Sequence, residues 1–435
     1  MTEQERKPTS SDAFYDVIVI GAGTAGVVAA LQTAREHIST LLVEKSEMPG
    51  GTVTLGQVDF PGLFHAWTKQ VIAGIGWELV EKTVREADGE FPDFSKQEKL
   101  RQYAWQVRIS APLYALECEE AMREAGVTML YSAMCAAVTE NEDEKTVTLC
   151  TKEGLRQVRC RVLIDCSGDA VAVRLAGYPL DRAPVTQPAT YRYRMTGYDG
   201  AKIDRERVMR DYEAAVAAGT LKYGDSGFCS TGLNRFWIGE QSLSGNHIYC
   251  EGMNAADAEA YTEYNVRGRL SILRAYRFLK KEPGFEKLRI SELASQCGIR
   301  ESVRIQGKET VTEEEYLAGK IYEDAVCYAY YPIDIHQMDG SGVCKKYLDE
   351  GKVATVPRGA LLPRGSRNLL AAGRTIASDH AANSALRVEA VCMATGQAAG
   401  ALAVLAVRNG TDVAEVRMAD VRALLKKHGA IVPEG

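Results

Sequence analysis

Asp16-Val17-Ile18-Val19-Ile20-Gly21-Ala22-Gly23-Thr24-Ala25-Gly26 is the stretch on which the reading of this chain turns. Its first five residues are an apolar, β-branched run of the kind that forms a strand buried on both faces of a parallel sheet. Three glycines at G-x-G-x-x-G spacing follow, and then a helix-forming run, VVAALQTARE, residues 27–36. Strand, glycine turn and helix in that order make a dinucleotide fingerprint. Gly21 permits the tight turn, Gly23 removes a side chain where a pyrophosphate approaches, and Gly26 lets helix and strand pack closely. The phosphate is then expected at the helix N-terminus.

A second strand is predicted over Ser39–Val43. It ends at Glu44, where a carboxylate can accept hydrogen bonds from a ribose hydroxyl and disfavours a phosphorylated ribose. This unit alone does not separate FAD from NAD. Further out, residues 46–62, SEMPGGTVTLGQVDFPG, are glycine-rich with Thr52 and Thr54, so the backbone can lie against a flat ring or a phosphate. Residues 158–168, VRCRVLIDCSG, predict another buried strand, with Asp169 and a helix after it. Residues 368–374, NLLAAGR, predict a third strand ending in Gly373 and Arg374, and 388–407 a helix rich in small residues.

These motifs, in this order, resemble the FAD-dependent oxidoreductases of the glutathione-reductase-like superfamily. GGTVTLGQV, GIRESVRIQG, YPIDIH and RVEAVCMATGQAAG look more narrowly like bacterial flavoproteins grouped with heterodisulfide reductase A, although its iron–sulfur cysteine clusters are missing here. The resemblance runs from about Asp16 to about Val407. It implies FAD as cofactor and an α/β fold with a Rossmann-like FAD-binding domain. It further implies that Gly21, Gly23, Gly26 and Glu44 hold the ADP half, with Gly50, Gly51, Thr52 and Thr54 near the flavin. Asp169 would lie by the ribityl or pyrophosphate part, and Gly373 and Arg374 on the closing strand. Thr24, Ala25, Lys45, Gly168, Ala394 and Gly396 complete the cofactor set that the resemblance implies. The start of the last helix is a plausible electrostatic partner for a reduced flavin, whose pyrimidine ring becomes negative.

Cofactor segments that end near Gly177 and resume near Val356 predict an α+β substrate domain inserted into the first. The expected division is a flexible tail over 1–13, FAD-binding segments over 14–180 and 353–435, and the insertion over 181–352. Within it, Tyr191–Met195 reads as a strand and 255–279 as helical.

The insertion carries the chemistry candidates. Flavin chemistry needs a group that takes or gives the proton balancing hydride transfer. His336 is the first choice, with Asp334 two residues away on the same strand face to orient it. Arg300 and Arg387 can clamp an anionic or polyhydroxylated substrate through their forks of donors, or form structural ion pairs with Glu301 and Glu389. His65 and His380 either approach the ring or are packing residues, the packing role being the one expected of each, and His37 and His428 are expected at the surface. Three functions follow: hydride transfer between FAD and a small polar, hydroxylated substrate; reduction of an activated carbon–carbon double bond with Arg300 or Arg387 as proton donor; and a non-catalytic flavin electron-transfer subunit.

A net charge of -6 with mixed signs gives no field to attract phosphate backbones, so nucleic acid is not an expected partner. A small-molecule substrate is. The first ten residues lack the apolar core of a secretory signal, and no stretch is expected to reach the roughly 20 apolar residues that span a bilayer. The 11 cysteines include no C-x-x-C pair, which points to a reducing, cytoplasmic compartment and to no metal.

Overall fold

The computed structural model describes residues 12–96, 105–141, 144–226, 237–239, 242–246, 254–336 and 343–434. The apolar run before Gly21 is a strand, β1 (Asp12–Ile20), so residues 12 and 13 of the expected tail belong to it and 1–11 lie outside the described residues. The strands that follow are β2 (Thr40–Val43), β3 (Thr128–Leu130), β4 (Met134–Glu140), β5 (Lys145–Thr151) and β6 (Gly154–Asp165). They form one sheet in the order β3-β2-β1-β6-β5-β4, and a closing strand, Leu369–Ala371, pairs with β6 as a seventh member. β1, β2, β3, β6 and the closing strand run parallel, while β4, β5 and β6 form an antiparallel meander.

The sequence of β6 shows why one strand serves both halves. Along its first part, beside β5, buried and exposed residues largely alternate; its last four residues, Val162–Asp165, lie between β1 and the closing strand and are all buried. That switch from alternation to a continuous apolar run is what one-sided and two-sided burial demand.

Every residue of the fingerprint helix, Thr24–Ala34, is buried. It packs against the long helix Glu389–Asn409, and glycine makes the approach possible. A Cβ on Gly396 would fall 2.2 Å from the Ala25 carbonyl oxygen; Gly26 instead seats the fingerprint helix on its own turn, where a Cβ would fall 1.8 Å from the Gly21 carbonyl oxygen. The long helix has 21 residues and a mean hydropathy of 1.8, so it is long and apolar enough to cross a membrane, contrary to expectation. Its most apolar stretch is 89% buried inside the fold, which accounts for that composition as the interior of a helix–sheet layer.

A second apolar cluster runs from Ala189 to Cys297. It lies under an antiparallel sheet of Arg192–Thr196, Trp237–Ile238, Ser242–Asn246 and Arg289–Leu293, and includes residues of the helices Arg205–Ala217 and Ala258–Leu279. Packing thus divides the interval 181–352. Val303, Ile305, Val311, Tyr316, Val326, Ile333 and Leu348 belong to the first core, beside the parallel sheet. YPIDIH and the VRIQG half of GIRESVRIQG therefore sit on the cofactor-domain side of the boundary, while Ile299 packs against the second cluster.

Candidate active site

The loops after β1, β2, β6 and the closing strand open onto one cavity of about 750 Å³, within the size range of small-molecule and cofactor sites. Gly21, Gly23, Thr24, Ala25, Glu44, Lys45, Gly51, Thr52, Gly168, Asp169, Gly373 and Arg374 line it. So do Arg300, Asp334, His336 and Arg387. The structure thus brings the cofactor and catalytic candidates to one space.

Five predicted cofactor residues stand elsewhere. Gly396 carries the helix crossing described above, and Gly26 seats the fingerprint helix on its own turn and on Cys166. A Cβ on Gly50 would meet the Thr54 side chain at 2.3 Å, and Thr54 Oγ1 donates to the Pro49 carbonyl at 2.6 Å, so this pair shapes the loop from behind. Ala394 faces a small space lined by Val71, Ile72 and Leu425. Helical geometry separates the two: Ala394, five positions past Glu389, has rotated away from the cavity that the first turn meets, whereas Gly396, seven positions past it, shares the face of Glu389 but stands roughly 10 Å further along the axis, against the fingerprint helix.

Glu44 braces the fingerprint as well as lining the cavity. Its Oε2 accepts from the Ala22 N–H at 2.6 Å and its Oε1 from the Ser46 N–H at 2.8 Å and hydroxyl at 2.7 Å. An ionised carboxylate offers about four lone-pair sites, which leaves it room for one further donor. Arg374 is a clamp: Nε donates to the Gly168 carbonyl at 2.7 Å, Nη1 to that of Ile299 at 2.5 Å, and Nη2 to Asp169 Oδ1 at 2.8 Å. Ser302 adds a bond to the same Asp169 oxygen at 2.8 Å. The closing strand, the loop after β6 and the loop at 299–302 are thereby locked together. Lys45 Nζ stands 5.6 Å from the centre of the Tyr261 ring, joining the two apolar clusters across the cavity.

At the other end, His336 Nε2 lies 3.2 Å from Asp334 Oδ1 on the strand Ile333–His336, with 14% of each side chain exposed. Burial, reinforced by the Arg300 charge and opposed by Asp334, lowers the imidazole to about 4, so it is neutral at physiological pH. Burial raises the Asp334 carboxyl, but contact with His336 and the Arg387 charge outweigh it and bring the group to about 2. Arg300 donates to the Pro188 carbonyl. Arg387 Nη2 reaches Gln187 Oε1 at 3.4 Å. Glu301 binds Arg304 at 2.6 Å and His380 at 2.9 Å, and the Arg387 charge lowers the Glu389 carboxyl.

Among the other histidines, His65 stacks on Phe94 with ring centres 3.7 Å apart and takes no part in the cavity lining, nor does His380. His37 is exposed as expected. His428 is not a free surface residue: its Nε2 is 2.6 Å from Glu36 Oε1, with 12% of the side chain exposed.

Several lining residues gave no sequence signal. Gln106, Arg108 and Thr190 come from unremarkable stretches that tertiary packing alone assembles, while Arg192 lies in the strand expected over 191–195 and Tyr331 opens YPIDIH without either having been singled out for the site. Glu389 was noticed only as an ion-pair partner. It lines the cavity at the start of the long helix, and burial pushes its carboxyl up to about 7, with Arg387 and Arg374 offsetting part of the rise.

A parallel sheet with its glycine fingerprint opening onto a cavity that also holds a His–Asp pair and two arginines defines an α/β enzyme of the dinucleotide-cofactor class. The chain belongs to the FAD dependent oxidoreductase family, whose model matches residues 16–425. FAD is its cofactor and oxidation–reduction its chemistry. Among curated proteins, 55 residues are 46% identical to thioredoxin reductase from Bacillus subtilis (strain 168), covering 12% of this chain and 17% of that one. Another 38-residue match is 53% identical to 3-oxosteroid 1-dehydrogenase from Mycolicibacterium smegmatis, 9% of this chain and 7% of that one. The chain therefore spans less than a fifth of the relatives it matches. Among solved structures, a geranylgeranyl bacteriochlorophyll reductase-like protein from Thermoplasma acidophilum is similar at a TM-score of 0.44 and 14% identity, over 96% of this chain and 84% of that one. The p-nitrophenol 4-monooxygenase from Pseudomonas putida DLL-E4 is similar at 0.42 and 10%, over 96% and 85%.

The cavity fits the cofactor. Gly23 faces open space, with no atom within 4 Å of where a Cβ would stand, so the fingerprint backbone is accessible to a pyrophosphate. The volume spans both the nucleotide end and the His336 end.

Proposed function

We propose that the protein transfers a hydride between FAD and a small polar, hydroxylated substrate, with His336 taking the balancing proton. The observation that carries this reading is the buried pair of a neutral His336 imidazole and an ionised Asp334 in the same cavity as the fingerprint. FAD supplies a two-electron acceptor or donor at its N5 atom. In this reading Gly21, Gly23, Thr24 and Glu44 hold the ADP half, and Gly51, Thr52, Asp169 and Gly373 the flavin-proximal parts. Arg374 keeps the loops of the cavity in register.

In the oxidative direction the substrate C–H bond breaks with its electron pair leaving as hydride, while the O–H proton passes to the imidazole of His336 and a carbonyl forms. A neutral imidazole can accept that proton, and Asp334 beside Nε2 stabilises the imidazolium that results. The arrangement of cofactor segments on one sheet supports the wider placement among glutathione-reductase-like flavoproteins.

The test is an anaerobic screen of sugars, polyols, hydroxy acids and enoates against the yellow holoprotein. Bleaching by a hydroxylated compound, lost in His336→Ala with FAD retained, is the expected result; bleaching that survives His336→Ala overturns the role. One observation favours a second reading, reduction of an activated double bond with an arginine as proton donor: Arg387 Nε is buried without a hydrogen-bond partner beside the cavity. There, enoates reoxidise reduced enzyme and Arg387→Lys abolishes it while His336→Ala does not.

A further inference from the structure

The strand Ile333–His336 has a strand beside it on one edge. Val343–Lys346 runs antiparallel there, with Ile333 opposite Lys346 and His336 opposite Val343. Successive N–H groups of a strand point to opposite edges, so those of Asp334 and His336 leave on the same side. Among the described residues no strand meets them on the free edge. The Asp334 N–H donates instead to Ser384 Oγ at 3.0 Å, and the His336 N–H to Gln187 Oε1 at 3.1 Å. Two side chains thus stand in for a neighbouring strand, at the two residues that carry the His–Asp pair.

Gln187 does more than close an edge. Its Oε1 also receives Arg387 Nη2 at 3.4 Å, and a carbonyl oxygen has two lone pairs for two donors. Both incoming groups donate, so the oxygen and not the nitrogen of the amide stands on this side. The side chain comes from a fixed backbone: the Gln187 N–H donates to Glu301 Oε2 at 3.4 Å, the Pro188 carbonyl accepts from Arg300, and Thr190 and Gly298 exchange both backbone bonds, at 2.8 and 2.6 Å. Residues 187–190 are therefore zipped to 298–301. Gln187 is 3% exposed, so bulk water does not compete for its oxygen. It is absent from the cavity wall, and whatever it does there it does through its neighbours.

We propose that Gln187 is a positioning residue for His336: its amide oxygen pins the His336 backbone and the Arg387 guanidinium to one point, while Ser384 pins Asp334 beside it, so that imidazole and carboxylate face the cavity in register. The role deepens the reading of His336 as proton acceptor and rests on it. A displacement of about 1 Å at a reacting group can cost about 10²-fold in rate, which sets the size of the effect.

Gln187→Met keeps length and burial but removes the acceptor; Gln187→Glu keeps it. Each is prepared as FAD-loaded protein, and amide exchange at His336 is read by mass spectrometry with fragmentation. In Gln187→Met it is expected to quicken by about 10-fold or more while exchange at Asp334, held by Ser384, stays within about threefold; in Gln187→Glu it stays near wild type. The His336 ring, followed by NMR on labelled histidine and assigned by its loss in His336→Asn, is expected to titrate in Gln187→Met at least about one pH unit above its wild-type midpoint as water reaches it. Asp334, Arg300 and Arg387 are the charged groups that face the ring, and all three remain in that variant. With a substrate from the screen, Gln187→Met should slow flavin reduction about 10²-fold at saturation, and should add nothing to His336→Ala. Unchanged exchange or ring titration in Gln187→Met, equal loss of protection in Gln187→Glu, or slowing that adds to that of His336→Ala would each overturn the proposal. Exchange and titration that move as expected with no compound bleaching the flavin sink the hydride-transfer reading alone; bleaching at the wild-type rate in Gln187→Met sinks the positioning role alone.

Discussion

Replacing Arg374 with lysine separates charge from geometry at the clamp of the cavity. The guanidinium spreads three bonds, 2.5–2.8 Å long, over Gly168, Asp169 and Ile299. A lysine ammonium can keep the one to Asp169 but cannot fork to both carbonyls. Hydrogen bonds to charged groups contribute about 1.5–3 kcal/mol each, so losing two implies about 3–6 kcal/mol before relaxation. With 16% of the Arg374 side chain exposed, water recovers some of that, and about 3 kcal/mol is the expected loss on denaturant unfolding. Because Gly168, Asp169 and Ile299 all line the cavity, part of the loss must appear in cofactor affinity. Even 1.4 kcal/mol there is a 10-fold weaker FAD dissociation constant. Apoprotein titrated with FAD by fluorescence quenching, alongside unfolding curves of the holoprotein, measures both. An Arg374→Lys protein within 1 kcal/mol of wild type whose FAD constant lies within twofold would refute the clamp.

Other outcomes follow from distances given above. Asp334→Asn removes a charge 3.2 Å from His336 Nε2, an interaction of about 5 kcal/mol at an effective dielectric constant of 20; flavin reduction by the substrate found in the screen should slow by about 10²–10³-fold in stopped flow at unchanged FAD content. The His336 ring is protonated in the unfolded chain below 6.5 but in the folded chain only below about 4. The His336 contribution to stability should therefore fall as pH drops from about 6.5 to about 4, by up to about 3 kcal/mol, and be flat above that window; because the raised Glu389 carboxyl acts in the opposite sense as pH falls from about 7, the check is the difference between wild type and His336→Asn in denaturant unfolding. Gly26→Ala would place a methyl 1.8 Å from the Gly21 carbonyl, so the fingerprint helix must shift; a yield of FAD-bound protein above half of wild type on purification would contradict the packing argument.

Residues whose role is dictated by backbone geometry were the legible ones. Gly21 and Gly26 announce a tight turn and a close packing of the helix on that turn, and the β-branched runs before Gly21 and Cys166 announce two-sided burial, because local sequence alone determines those properties. The helix residues Ala394 and Gly396 carried the same small-residue signal for another reason: they admit the fingerprint helix and a neighbouring core rather than a ligand. Gln187 and Thr190 were silent and Glu389 was noticed only as an ion-pair partner, since an unmet donor or a raised carboxyl exists only once distant segments have closed around it. The insertion ended early for a similar reason. Val303 to Leu348 pair and pack with the first core through long-range contacts that no local pattern records.

The position of the closing strand has a consequence for biosynthesis. Its residues Leu369–Ala371 take the β6 edge beside Leu163–Asp165, and Arg374 follows directly. At roughly 5–20 residues per second of translation, the segment bearing Arg374 emerges some 20–70 s after the fingerprint. Until then the C-terminal edge of β6 lies open, the nucleotide loops have no clamp, and the nascent chain exposes an apolar strand edge of the kind that chaperones shield. FAD capture belongs to the end of synthesis, and a ribosome stalled before Leu369 holds a fingerprint with nothing to close it.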